Sequence, residues 1–377
     1  MVSNFFKAAV FGLVFCVAGT VQAEIFGISS NYNNVFFGDY YGRNGDIEGH
    51  AAIQGNVDVQ NYAFGSGQQN LHPSSMGPTL VVGGNVKASS TDVYDGDAYI
   101  QGTLTPQAGK NKWNTLGTKG TGKYNTIDRD YQGTPGTVYV KGTQDADLDY
   151  QYQEHTDAAI PFDFDLAKQQ LQKVSSELSS LEITAVAREN GNNWVIDLTK
   201  STGLQVVTMA AETLNEIAGT GGCLLVNAGA DTTLVLNVTG NGELNFKGGA
   251  IIINGRQRDE DPDNLANLAD FNGSNILINA ADITSVNLTN AEVNASLIAL
   301  NADFDVQHGH FSGQVFGASA STTNGGEFHA FYLFNDQHIG TPTPSGNATP
   351  EPATLAIFGL SLTGLGFGQL RRKVRVA

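Results

Sequence analysis

The sequence predicts a mainly β protein, a right-handed parallel β-helix with one long α-helix packed alongside. Three observations predict it. Glycine supplies 45 of 377 residues and charged residues only 15%, against roughly 7% and about 25% in ordinary domains. Short β-favouring runs are separated by Gly-Asp and Gly-Asn pairs, and a single apolar stripe has helical spacing. The same composition excludes other classes. With 20 Lys plus Arg against 37 Asp plus Glu, the acidic balance argues against nucleic-acid binding, which needs a surface of clustered cations. So much glycine penalises helix interiors, which argues against a helical bundle, and the absence of a strict Gly-X-Y period excludes collagen.

Taken in order, residues 1–23 read as a secretory signal peptide. Lys7 precedes an apolar stretch from Ala8 to Gly19, and Val21-Gln22-Ala23 places small residues at −3 and −1 of a cleavage site after Ala23. Cys16 has no Leu-x-Gly context for lipidation. Once the leader is removed Cys223 stands alone, so no intramolecular disulfide is expected.

Residues 24–339 form the expected β-helix domain. Gly38-Asp39, Gly45-Asp46, Gly55-Asn56, Gly84-Asn85 and Gly96-Asp97 punctuate short runs such as Ala52-Ile53-Gln54, Leu80-Val81-Val82 and Val138-Tyr139-Val140. Strands this short suit stacked coils that bury a shared core. Their spacing drifts, so periodicity alone leaves an antiparallel sandwich open. Between the halves, Phe164, Ala167, Leu171, Val174, Leu178 and Leu181 predict a helix over about 163–182, started by Pro161 and Asp163 and lying along one wall. In the second half, Asn recurs at the ends of apolar runs, among them Asn237, Asn245, Asn254, Asn279, Asn287 and Asn301. These read as coil-to-coil ladders at solenoid corners, because stacked amides bond to one another and Asn tolerates left-handed turns. Asn237 and Asn287 also head glycosylation sequons.

Residues 340–349 are a Pro/Ser/Thr/Gly linker with nothing to pack. Pro350-Glu351-Pro352 follows, then the uncharged stretch 353–370 and the basic tail 371–377 with Arg371, Arg372, Lys373 and Arg375. Eighteen helical residues span about 27 Å, close to the hydrocarbon thickness of a bilayer, and the tail suits the cytoplasmic side. This tripartite end resembles the PEP-CTERM sorting signal of Gram-negative bacteria. The resemblance implies recognition by an exosortase-type membrane enzyme, with membrane contact only through this helix before processing. The exported part, 24–349, holds 15 basic and 36 acidic residues, a net charge of −21, which attracts cations and repels anionic lipid.

A second resemblance covers nearly the whole body. The segments 33–39, 46–56 (Asp-Ile-Glu-Gly-His-Ala-Ala-Ile-Gln-Gly-Asn) and 80–85, with 309–317 and Gly326-Glu327-Phe328-His329 near the end, resemble the choice-of-anchor A family. Residues 330–334 depart from that family's closing motif. The resemblance implies an ice-binding-like, adhesin-like solenoid attached to whichever anchor the host uses, and it brings no catalytic residues.

Three constellations could carry chemistry. Asp259, Asp261, Asp263 and Asp270 fall at positions 1, 3, 5 and 12 of an EF-hand-like loop and nominate calcium. Position 6 is Asn264 instead of Gly, and proline stands at position 4, so a solvated insertion is the competing reading. His308-Gly309-His310 would put two imidazoles on one face if extended, and His329 or Glu327 from an adjacent coil could complete a transition-metal site. Asp39, Asp46 and Glu48 could serve a β-helix lyase or hydrolase, although Gly-Asp turns account for them without chemistry. Ice binding would need flat threonine ladders, and Thr232, Thr233, Thr239, Thr284 and Thr289 are scattered. The expectation is therefore a non-enzymatic surface or matrix adhesin, exported from a Gram-negative bacterium, that binds exopolysaccharide or a surface protein and no nucleic acid.

Overall fold

The computed structural model describes residues 25–67, 77–94, 96–106, 117–119, 137–142, 153–155, 159–248, 251–254, 271–334 and 339. Within them the chain winds into coils of three short walls, each strand pairing in parallel with its counterpart one coil away. Antiparallel pairing is confined, among the described residues, to Arg188–Asn190 against Asn193–Leu198. A solenoid, not a sandwich, is the result.

Stacking order differs from chain order. On the first wall Asn34–Phe36, Ala51–Ile53, Leu80–Val82, Ala98–Ile100, Val138–Val140 and Gln153–His155 stack away from the start. Helix α1, Phe164–Ser179, then returns the chain. Gly203–Ala210, Thr232–Thr239, Ile276–Asn279, Ser296–Gln307 and Val315–Thr323 stack back toward the beginning. The last of these docks on the first coil, with Asn34, Val35 and Phe36 opposite Val315, Phe316 and Gly317. A seam thus joins the two ends of the body in mid-solenoid.

The first-wall strands beneath α1, among them Asn34–Phe36, Ala51–Ile53, Leu80–Val82 and Ile276–Asn279, are buried on both faces. Their inward side chains join the interior core. Their outward ones, including Val35, Ala52, Val235, Leu277 and Phe316, form a second core beneath α1. Burial on both sides is why Leu80–Val82 and Ile276-Leu277-Ile278 read as unbroken apolar runs. Phe164, Ala167, Leu171, Val174 and Leu178 are the buried stripe of α1. The Asp163 carboxylate accepts the Leu166 N–H at 3.0 Å as N-cap. The helix stops at Ser179, three residues before the expected 182, where Ser180 bonds back to Glu177; serine competes with helix geometry in this way.

Two corner devices hold the coils in register. At one corner Asn56 donates to Asp39 Oδ1, Asn85 donates to Asn56 Oδ1, and the Thr103 N–H donates to Asn85 Oδ1 at 2.8 Å. The adjoining glycines are obligatory, since a Cβ on Gly84 would overlap the backbone of Gly55. At another corner, Asn44, Asn61, Ser90, Asn290, His308 and Asn324 all adopt positive φ between 48° and 55°. Asn and related short polar residues tolerate that conformation best. The asparagine ladder expectation needs correction at two positions. Asn237 and Asn279 lie buried beneath α1, where Asn279 Nδ2 donates to Asn237 Oδ1 and Ser175 O, and Asn237 Nδ2 donates to Leu178 O. They satisfy carbonyls of the last helical turn.

A second helix, α2 (Ala211–Gly219), was not anticipated from the sequence. Its four buried apolar residues, Ala211, Leu214, Ile217 and Ala218, are too few for a periodic signal. It covers the strand Gly242–Lys247 at the end of the second wall. Beside it, Thr184 and Ala185 donate to Val206 O, covering the outermost first-wall strand. Arg188–Asn190 closes the small sheet with Asn193–Leu198, Leu224–Ala228 and Ile251–Ile253. All three walls are capped at this end, which leaves few free edge groups for strand addition.

Candidate functional site

The second wall is the broad polar surface of the described residues. Strand alternation turns Tyr40, Val57, Val59, Phe304 and Val306 inward and their neighbours outward. Coil register then aligns Asn245, Asn287, Asp305, Ser321, Tyr41, Asp58 and Lys87 in one column. A shallow concavity of about 510 Å³ spans five of these coils, from Ser285 and Asn287 to Asn56 and Asp58. At the usual strand spacing it is about 19 Å long. Its side chains are pre-positioned. Asn287 donates to Asn245 at 2.9 Å, Ser319 to Asp303 at 2.5 Å, and Gln307 to Asp305 at 2.7 Å. Tyr41 is 41% exposed, with the Arg43 guanidinium 4.0 Å from its ring centroid, and Arg43 pairs with Asp58. Hydroxyls, amides, carboxylates and one supported aromatic face solvent together.

The third wall is narrower and chemically different. Asp46 and Glu48 alternate outward around buried Ile47, and Glu327 and His329 do the same around buried Phe328. Because Ile47 pairs with Phe328 across the seam, the two couples meet. One atom each from Asp46, Glu327 and His329 lie within 4.8 Å of one another. His329 Nε2 is 3.0 Å from Glu327 Oε2 and 4.0 Å from Glu48 Oε1, and its ring stacks on His310 at 4.1 Å. Ser66 donates to Asp46 Oδ2, and the Ala330 N–H donates to Glu48 Oε2. Asp46 Oδ1 and His329 Nδ1 are shielded from solvent and have no hydrogen-bond partner. Burial, then the charges of Glu327 and Glu48, push the Asp46 carboxyl up to about 7 against the opposing Ser66 bond. Glu48 is also raised, mainly by burial. Burial pulls the His329 imidazolium down, but the bond to Glu327 and the fields of Glu48 and Asp46 outweigh it, so its pKa is raised.

With this architecture in place, comparison with known proteins assigns the chain to a family. The model of an ice-binding-like adhesive domain matches residues 25–330. The chain belongs to that family. A PEP-CTERM protein-sorting motif matches residues 348–373, so this member of the ice-binding-like adhesive family is an exported, surface-associated protein carrying the mark read by an exosortase-type enzyme. Solved structures similar to it include an ice-binding protein from an Antarctic biological consortium, at 11% identity over 87% of this chain and 96% of the other, with a TM-score of 0.30. A glycosylated ice-binding protein from Arctic yeast is 12% identical over 87% and 99%, with a TM-score of 0.33. No curated protein matches the chain.

Within this adhesive domain the residues singled out from sequence have separate fates. Asp259, Asp261, Asp263 and Asp270 lie outside the described residues, as do Ala23, Pro350, Glu351, Pro352, Arg371 and Arg372. His308 and His310 do not share a face, because His308 sits at a corner with φ of 50°, which breaks strand alternation. His310, His329 and Glu327 do come together. Asp39 is a corner residue, as its Gly-Asp pair suggests. Asp46 is not: Gly45-Asp46 lies within the strand Tyr40–Ile47, and Asp46 joins the third-wall cluster. The second-wall column was invisible in sequence, since only coil register brings Asn245 to Lys87 into line.

Proposed function

We propose that the protein is an adhesin of the cell surface or extracellular matrix whose second wall binds exopolysaccharide, in the manner implied by its choice-of-anchor A resemblance. Residues 1–23 direct export and are removed from the mature protein, and exosortase-type processing acts at Pro350-Glu351-Pro352. The observation that carries this reading is the solvent-facing concavity of fixed hydroxyls, amides and carboxylates around Tyr41. Sugar hydroxyls need both donors and acceptors, and a held aromatic ring offers an apolar face at low entropic cost. Asp39, Asp58, Asp303 and Asp305 make the surface acidic, which favours neutral or cationic glycans over acidic ones. The wall does not suit ice: its outward columns mix Glu243, Lys247, Asp305 and Lys87 with threonines instead of repeating them.

The test is binding of the full chain, purified in detergent, to exopolysaccharide from a strain lacking it. Saturable binding without release of sugar fragments is expected. Tyr41→Ala with Asp305→Ala should weaken it at least about tenfold, the loss of two anchoring contacts. Fragment release would replace adhesion with catalysis, and unaltered binding by the variant would remove the second wall from consideration.

A further inference from the structure

The third wall carries a different inference, independent of any glycan. We propose that Asp46, Glu327 and His329, assisted by Glu48, form a binding site for a borderline divalent metal ion of the Zn²⁺ class that clips the last coil to the first.

The placement follows from strand chemistry. Two acid-containing i, i+2 couples each point outward from one strand, and the pairing of Ile47 with Phe328 sets them side by side. Three carboxylates thereby gather around one imidazole. An imidazole nitrogen with carboxylate oxygens is a donor set for Zn²⁺ or Mn²⁺, whereas Ca²⁺ prefers oxygen alone. Metal–ligand bonds of about 2.0–2.2 Å put ligand atoms about 3–4 Å apart, so the 4.8 Å limit here needs only a slight closure of side chains.

A second observation points to a ligand. Asp46 Oδ1 has no hydrogen-bond partner and no exposure to solvent, and an unsatisfied buried oxygen is costly. A cation supplies the missing partner and offsets the crowding of carboxylates. The stacked His310 ring braces the His329 imidazole, and Ser66 orients Asp46, as outer groups commonly fix metal ligands. The ion would bridge residues 46 and 327 at the seam, just before the chain leaves for its linker.

Thermal unfolding of the full chain in detergent, after chelation and with Zn²⁺ added back, tests the proposal. At about a hundredfold excess of free Zn²⁺ over Kd, Tm should rise by about 5 °C. The rise should vanish in Asp46→Asn with His329→Gln and persist in Glu182→Gln with Glu189→Gln, which removes two exposed carboxylates elsewhere. No rise in the unmodified protein, or an equal rise in the first variant, overturns the site. Should that double variant fail to fold, His329→Gln alone keeps every carboxylate. Calorimetric Zn²⁺ affinity at least about tenfold weaker than in the parent would support the site, and unchanged affinity would refute it.

Discussion

Asp46 shows how little a residue's neighbours in sequence say about its chemistry. Its Gly-Asp context is that of a turn, yet it is a strand residue facing Glu48, Glu327, His329 and Ser66. That environment has a pH signature. Asp46 rises to about 7 from an ordinary value of 3.8, and Glu48 and His329 are also raised. Each group holds its proton more tightly when folded, so the folded state binds more protons than the unfolded one. Their contribution is therefore complete below the unfolded values and declines as pH rises through the folded ones. In chelator, Tm should be several degrees higher at pH 5 than at pH 8. Asp46→Asn should flatten the profile between pH 5 and 7, and an unchanged profile would show that the cluster does not titrate as described.

At the scale of elements, α1 combines a readable stripe with an unreadable clasp. Phe164 to Leu178 could be picked out by spacing, but the polar clasp of Asn237, Asn279 and Ser175 could not. Asn279 is 104 residues from Ser175, and nothing local distinguishes it from Asn287, which sits on the half-exposed second wall. The two should respond differently to truncation. Asn279→Ala strands Asn237 Oδ1 and the Ser175 hydroxyl in a buried site and should cost about 1–3 kcal/mol. Asn287→Ala, bonded to Asn245 where water can substitute, should stay within about 0.5–1 kcal/mol. Urea midpoints of the two variants would decide, and equal losses would count against the clasp. α2 carries no readable stripe for a similar reason: a nine-residue helix with few apolar positions is stabilised by what it covers, not by its own pattern.

For the molecule as a whole, the seam sets the mechanical layout. Gln314 donates to Ser30 O and Tyr32 O, Asn33 donates to Gly313 O and His329 O, and Phe26 packs on Phe316 and Phe334. The body therefore begins and ends beside α1 at mid-length, away from the second wall. The capped end matters for assembly. Thr184→Pro removes both the N–H that bonds Val206 O and the hydroxyl that accepts the Val206 N–H, uncovering a strand edge. Analytical ultracentrifugation should show more self-association for this variant than for its parent, and an identical distribution would show that the cap is dispensable.

The sequence by itself determined the sorting end, the coil-forming chemistry of Gly, Asn and short β runs, and the position of α1. Each of these is written within a few residues, where turn conformation, hydrophobic period and charge act locally. Only the tertiary structure decided that the last coil stacks on the first, which asparagines are buried under the helix, that the second wall aligns its polar columns, and that Glu48 receives the N–H of Ala330, 282 residues away. Parallel stacking makes that difference: every wall is assembled from segments distant in the chain, so its surface chemistry exists only once the register is set.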